Sequence, residues 1–329
     1  MINRVLIITL ICCAVKNATA QTWPGLTGKP DTSYNTNVAY RSSIKNFPNI
    51  SIAAEVHSPA VKEKKNIVYC KTGERELLLD AFYPAAKSNN KRTAIIIIHG
   101  GGWRSGNRTQ HYALAESLAN LGYACFTPEY RLSTEALYPA AVYDIKASVR
   151  WIKEHGKKYG IDTNRITVLG FSAGGQLAAL ISTTNDNSIF ENKDCNLKRT
   201  SDVKALIDID GTLSFTHSES VIGDESKKPS AATDWFGAYK KDNPGVWQQA
   251  SPLTWAGKNS VPTLFINSAV PRMHAGRNDF VKILSDNNIY TEVKEFENSP
   301  HHFCLFNPWF EPTVKYIDDF LKKFSTINK

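Results

Sequence analysis

The sequence predicts an α/β fold in which a mostly parallel central sheet is flanked by helices, and three observations carry that reading. Residues 94–98 (Ala-Ile-Ile-Ile-Ile) are apolar throughout, the pattern of a strand covered on both faces. From there onward short apolar runs alternate with helical ones, and such alternation makes parallel strands joined by crossovers. The apolar run 166–169 leads through Gly170-Phe171-Ser172-Ala173-Gly174 into the helical pattern of 176–180, which reads as a strand, a sharp turn and a helix.

In order along the chain, 67–70 and 76–84 read as an antiparallel strand pair joined at Thr72-Gly73. The buried strand 94–98 follows, then a helix over 111–121 that stops at Gly122 and a strand over 123–126. A loop at 128–132 precedes a helix over 140–155, ended by Gly156. After the serine turn and its helix, 203–211 is a strand ending in acids, with Asp208 and Asp210 separated by Ile209. Residues 212–258 break the pattern with Pro, Gly, Asn, Ser and many aromatics, and read as an insertion. A strand over 262–267, a helix over 275–284, a strand over 291–296 and an amphipathic helix over 312–324 complete the series. Residues 21–60, rich in Asn, Ser, Thr and Pro, read as an arm on the domain or a loose leader, which leaves 61–329 as the main domain.

Two stretches carry chemistry. A serine in a strand-to-helix turn with small neighbours has its Oγ presented at the carboxyl end of the sheet, with a helix N-terminus behind it. The strand 94–98 ends in His99-Gly100-Gly101-Gly102-Trp103, where glycines leave backbone N–H groups free to point at a ligand. In this order the two motifs resemble the α/β-hydrolase fold, in the esterase branch related to hormone-sensitive lipase and to bacterial acetyl-xylan and feruloyl esterases, over about residues 65–326. The resemblance implies Ser172 as nucleophile and backbone N–H groups of Gly101, Gly102 and Ala173 as an oxyanion hole. It also implies that 212–258 caps the site. Aromatics there, such as Phe215, Trp235 and Trp247, either stack on sugar rings or form the core of the cap itself. Tyr130 and Arg131 either brace the site, as in that family, or simply pack.

A serine nucleophile needs a base, and the base needs an orienting group. His301-His302-Phe303 supplies the base after the last strand; the resemblance favours His301, with His302 as its rival and His99 as a shaper of the glycine loop. The acid departs from the family pattern, because Ser268-Ala269-Val270-Pro271-Arg272-Met273-His274 contains no carboxylate where one is usual. The strand before it offers Asp208 and Asp210, which alternation places on one side; Asp210, nearer the carboxyl edge, is preferred, with Asp208, Glu219 and Asp279 as rivals.

These readings combine into an exported serine esterase acting on small acyl, mainly acetyl, esters of plant poly- or oligosaccharide, with no metal and no cofactor. A peptidase or amidase of the same fold, or a non-catalytic carbohydrate-binding scaffold, are the alternatives. Residues 1–20 carry one positive charge, an apolar run over 5–15 and Ala18-Thr19-Ala20, the layout of a cleaved signal peptide, and the run is short for a membrane span. Periplasmic or extracellular placement follows. The mature cysteines Cys70, Cys125, Cys195 and Cys304 allow three pairings if all are bridged, and Cys125 reads as a buried small hydrophobe. A hydrophobic content of 42% supports a packed core and argues against disorder. The charge of +8 is scattered rather than striped, so no nucleic-acid partner is expected, only a weak leaning toward acidic polysaccharides.

Overall fold

The computed structural model describes residues 23–327 apart from 88–90, 186, 193–194, 196–197, 222 and 226, and the side chains of 324–327. The expected signal segment 1–20 lies outside the described residues. Helix α1 (Thr36–Ser43) and the short strand β1 (Ser51–Ile52) come first, so the arm carries structure that its composition did not announce. Strands β2 (Val61–Thr72) and β3 (Arg75–Pro84) pair antiparallel, and β4 (Arg92–Ile98) contains the fully apolar run. Helix α2 (Tyr112–Asn120), strand β5 (Ala124–Pro128), helix α3 (Ala140–His155), strand β6 (Ile161–Phe171) and helix α4 (Ala173–Thr183) follow. Then come β7 (Ala205–Ile209), the small helices α5 (Ala231–Phe236) and α6 (Pro244–Gln249), β8 (Thr263–Ser268) and α7 (Arg277–Asp286). The chain closes through β9 (Thr291–Phe296), the two-residue β10 (Phe306–Asn307) and α8 (Phe310–Ile327).

Eight of these strands form one sheet in the order β2-β3-β5-β4-β6-β7-β8-β9, antiparallel across β2, β3 and β5 and parallel from β5 onward. The mostly parallel sheet is the one the sequence predicts. Side chains along β4 explain why it is apolar throughout. Ile96 and Ile98 pack with Val142, Ile145, Leu177 and Leu180 of α3 and α4, while Ile95 and Ile97 pack with Leu114 and Leu118 of α2 and Ile317 and Phe320 of α8. Helices cover both faces, and from Thr93 to Ile98 every position is buried. The edge strand β2 instead exposes Lys62, Glu63, Lys64 and Lys65, charges that disfavour pairing with another chain. Among the described residues no helix is long and apolar enough to cross a membrane.

The arm lies against the domain. β1 pairs antiparallel with β10, and the N–H of Gly106 donates to the Asp31 carbonyl at 3.0 Å. A disulfide joins Cys70 of β2 to Cys195, 125 residues away, while Cys125 and Cys304 are free and buried. The cap aromatics are the core of the cap: Phe215, Trp235, Phe236 and Trp247 are all buried, and Trp103 stacks on Trp235 at 4.8 Å between ring centroids.

Candidate active site

Ser172 sits between β6 and α4 with φ 56° and ψ −119°, a backbone conformation rare for a residue with a side chain. Such a conformation costs about 1–3 kcal/mol and persists only where the surroundings enforce it. Here the enforcement is close packing. A Cβ on Gly170 would stand 1.9 Å from the carbonyl oxygen of Gly174, and one on Gly174 would stand 2.2 Å from that of Ile98. Strand, turn and helix can approach this closely only with glycine at both places. The N–H of Ser172 donates to the Ile209 carbonyl at 2.8 Å, which ties the turn to β7.

The base and the acid converge on this serine. His301 Nε2 stands 2.8 Å from Ser172 Oγ, and His301 Nδ1 stands 2.9 Å from Asp210 Oδ2. The carboxylate can only accept from Nδ1–H, so the ring presents Nε2 as an acceptor toward the serine hydroxyl. The other oxygen of Asp210 accepts from the backbone N–H of Ser268 at 2.8 Å and from Asn267 Nδ2 at 3.4 Å. The turn that lacks its own carboxylate therefore anchors the one supplied by the preceding strand. Asp210 is buried, whereas the His301 side chain keeps 13% of its surface open, so the imidazole edge stays reachable.

The rivals are engaged elsewhere. Asp208 and Asp210 meet different partners: Asp210, at φ 50°, reaches His301, while Asp208 Oδ1 accepts from the Gly211 N–H at 2.6 Å beside the start of α4. Burial pushes the Asp208 carboxyl well above the usual carboxylate range. Glu219 and Asp279 flank His217, at 3.3 and 3.4 Å. His302 turns away from Ser172, with Nδ1 3.3 Å from Ser43 Oγ and its ring near Tyr34; burial lowers its pKa to about 3.

The glycine loop borders the serine. Gly101 has φ 125°, and a Cβ on it would stand 1.8 Å from the Ser105 carbonyl oxygen, so only glycine fits. His99 donates Nδ1–H to the Gly100 carbonyl at 2.8 Å and stacks on Tyr130, whose hydroxyl donates to the His99 carbonyl at 3.0 Å; burial holds His99 neutral, with a pKa lowered to about 4. Arg131 forms a bidentate pair with Asp144. Two further residues hold the loop and escaped the sequence reading. Gln110 accepts from the Gly100 N–H at 2.8 Å, and Gln176 accepts from Trp103 Nε1 at 2.9 Å while donating to the Ala250 carbonyl at 2.8 Å. Gln110 lies in a short polar turn and Gln176 in an otherwise apolar helix, and neither setting carries a motif, so nothing in the sequence marks them.

A cavity of about 240 Å³ is lined by Ser172 together with Gly102, Ala173 and Asp210 and with the aromatic side chains of Trp103, Phe215 and Trp247. The family model described as BD-FAE matches residues 79–272, more than half of the chain. The chain belongs to the BD-FAE family. Relatives of this BD-FAE chain include Esterase LipQ of Mycobacterium tuberculosis, 29% identical over 276 residues that span 81% of this chain and 63% of LipQ. Esterase LipC of the same organism is 28% identical over 202 residues, 58% of this chain and 47% of LipC. The BD-FAE chain thus spans about half to two thirds of these relatives. Among solved structures, a truncated carbohydrate esterase from gut microbiota superposes with a TM-score of 0.69 at 22% identity, covering 82% of this chain and 99% of its own. That likeness establishes the α/β-hydrolase fold.

Proposed function

We propose that this protein is a serine hydrolase that cleaves carboxylic esters, with Ser172 as nucleophile, His301 as base and Asp210 as orienting acid. The observation that carries the reading is the continuous hydrogen-bonded line from Ser172 Oγ through His301 to Asp210, at 2.8 and 2.9 Å. Ser172 Oγ attacks the ester carbonyl carbon as its proton passes to His301 Nε2, and Asp210 stabilises the resulting imidazolium. N–H groups of Gly101, Gly102 and Ala173 receive the negative charge that builds on the carbonyl oxygen. His301 then protonates the departing alkoxide, and water activated by the same imidazole releases the acid from the acyl-serine.

A small acyl group, acetyl above all, and a carbohydrate alcohol are the substrates we infer. The restricted cavity beside Ser172 supports the first, and the carbohydrate esterase among the structural neighbours supports the second. The N-terminal layout of 1–20 supports export to the periplasm or beyond. We read 61–329 as the hydrolase unit, with 212–258 as its cap and the preceding residues as the arm.

Hydrolysis of p-nitrophenyl acetate by the unaltered protein, Ser172→Ala and Asp210→Asn tests the triad. The expected result is turnover by the first, none above background by the second, and a loss of about 10²–10⁴ in kcat by the third, whose imidazole has lost its anionic partner. Unaltered turnover in Asp210→Asn would remove Asp210 from the mechanism. Turnover of esters with none of the matching amides separates an esterase from a peptidase.

A further inference from the structure

The turn after β8, where family resemblance leads one to expect a carboxylate, carries Arg272. Arg272 is exposed and lines the rim of the cavity above Ser172. Among the described residues lining that cavity, Asp210 is the one anion, and both of its oxygens are taken, by His301 and by Ser268 with Asn267. Arg272 is the one cation there, and no described carboxylate pairs with it. Acids are available close by. Arg277, on the same turn-to-helix segment, is bound to Asn267 and Glu295, and His217 lies between Glu219 and Asp279. The remaining polar lining consists largely of the hydroxyls of Thr212, Ser220 and Ser230, which add no charge.

A guanidinium without an internal partner, at the edge of a cavity walled by Trp103, Phe215 and Trp247, offers a planar fork that matches a carboxylate. Because Arg272 is exposed, the attraction is that of a surface pair, modest and screened by salt.

We propose that Arg272 selects esters carrying a carboxylate near the scissile bond. The inference rests on the ester-hydrolase reading and narrows its substrate class. The carboxylate can stand on the alcohol side, as in an acetylated uronic acid, or on the acyl side, as in a half-ester of a dicarboxylic acid. Two substrate pairs separate these sources: acetylated galacturonate against acetylated galactose, and p-nitrophenyl hemisuccinate against p-nitrophenyl acetate.

The measurement is kcat/KM on both pairs for the unaltered protein, Arg272→Gln and Arg272→Lys. Arg272→Gln is expected to lower the anionic-to-neutral ratio about three- to tenfold in one pair, with Arg272→Lys recovering part of it. Added salt lowers the same ratio in the unaltered protein and leaves it flat in Arg272→Gln. The pair that responds identifies the side bearing the carboxylate. A ratio unmoved in both pairs, with neutral esters still turned over, overturns the role of Arg272 and leaves the hydrolase reading standing. An unaltered protein that cleaves none of the four esters overturns both.

Discussion

At the scale of residues, Asp208 and Asp210 stand two positions apart and have opposite roles. Asp210 holds the imidazole, whereas Asp208 holds the Gly211 N–H with one oxygen and buries the other without a described partner. Asparagine at 208 keeps an oxygen for Gly211 and has no charge to bury. Asp208→Asn is therefore expected to retain turnover within a few-fold and to melt at or above the unaltered temperature at pH 8, where Asp210→Asn has lost most activity. Parallel kinetics and thermal melts check this, and equal losses in the two variants would refute the division of labour. The strained turn at Ser172 was legible in the sequence because a Gly-x-Ser-x-Gly turn has one steric solution. The choice between the acids was less so, because the left-handed backbone of Asp210 is enforced by neighbours and is not written in its side chain. His301 and His302 illustrate the same limit: the contact that occupies His302 comes from Ser43, 259 residues earlier, beyond the reach of any local pattern.

At the scale of elements, the glycine loop, the helix after the serine and the cap meet at one side chain. Gln176 of α4 joins Trp103 of the loop to Ala250 of the cap, and it is fully buried. Gln176→Leu removes both hydrogen bonds and leaves the Trp103 N–H and the Ala250 carbonyl unsatisfied, at a cost of about 2–5 kcal/mol. Turnover is expected to fall with kcat more than KM, because the loop loses its register against Ser172 while Phe215 and Trp247 still wall the cavity. Chemical denaturation with steady-state kinetics reads both effects, and an unchanged kcat would mean that the loop is held by Gln110 alone. Strands and helices were legible here because periodicity encodes which face is covered. The arm was not: α1 and β1 are too short to show a period, and β1 exists only through its pairing with β10.

At the scale of the whole molecule, burial of neutral imidazoles sets a pH dependence. His99, His111 and His302 have pKa values lowered by burial to about 4, 3 and 3. In the unfolded chain each titrates near 6.5, so below that pH the unfolded state takes up protons that the folded state refuses. Stability from these groups is complete above pH 6.5 and declines as pH falls toward 4 and then 3. By pH 5 the loss is on the order of 1–2 kcal/mol per histidine. Melting temperatures between pH 7.5 and 5 are expected to drop, and His302→Gln to shallow the slope; a flat profile would contradict the burial of neutral rings. Measuring in Asp208→Asn removes the opposing titration of that carboxyl.

The line from Ser172 to His301 spans 129 residues, and Ser43 reaches His302 across 259. Synthesis runs from N- to C-terminus, so the glycine loop and Ser172 are made well before the imidazole that reaches Ser172 Oγ. A nascent chain halted anywhere before residue 301 has a serine with no base. On the proposed triad, turnover therefore waits on the segment after β9 reaching the Ser172 turn, and a chain clipped before residue 301 is expected to be inert.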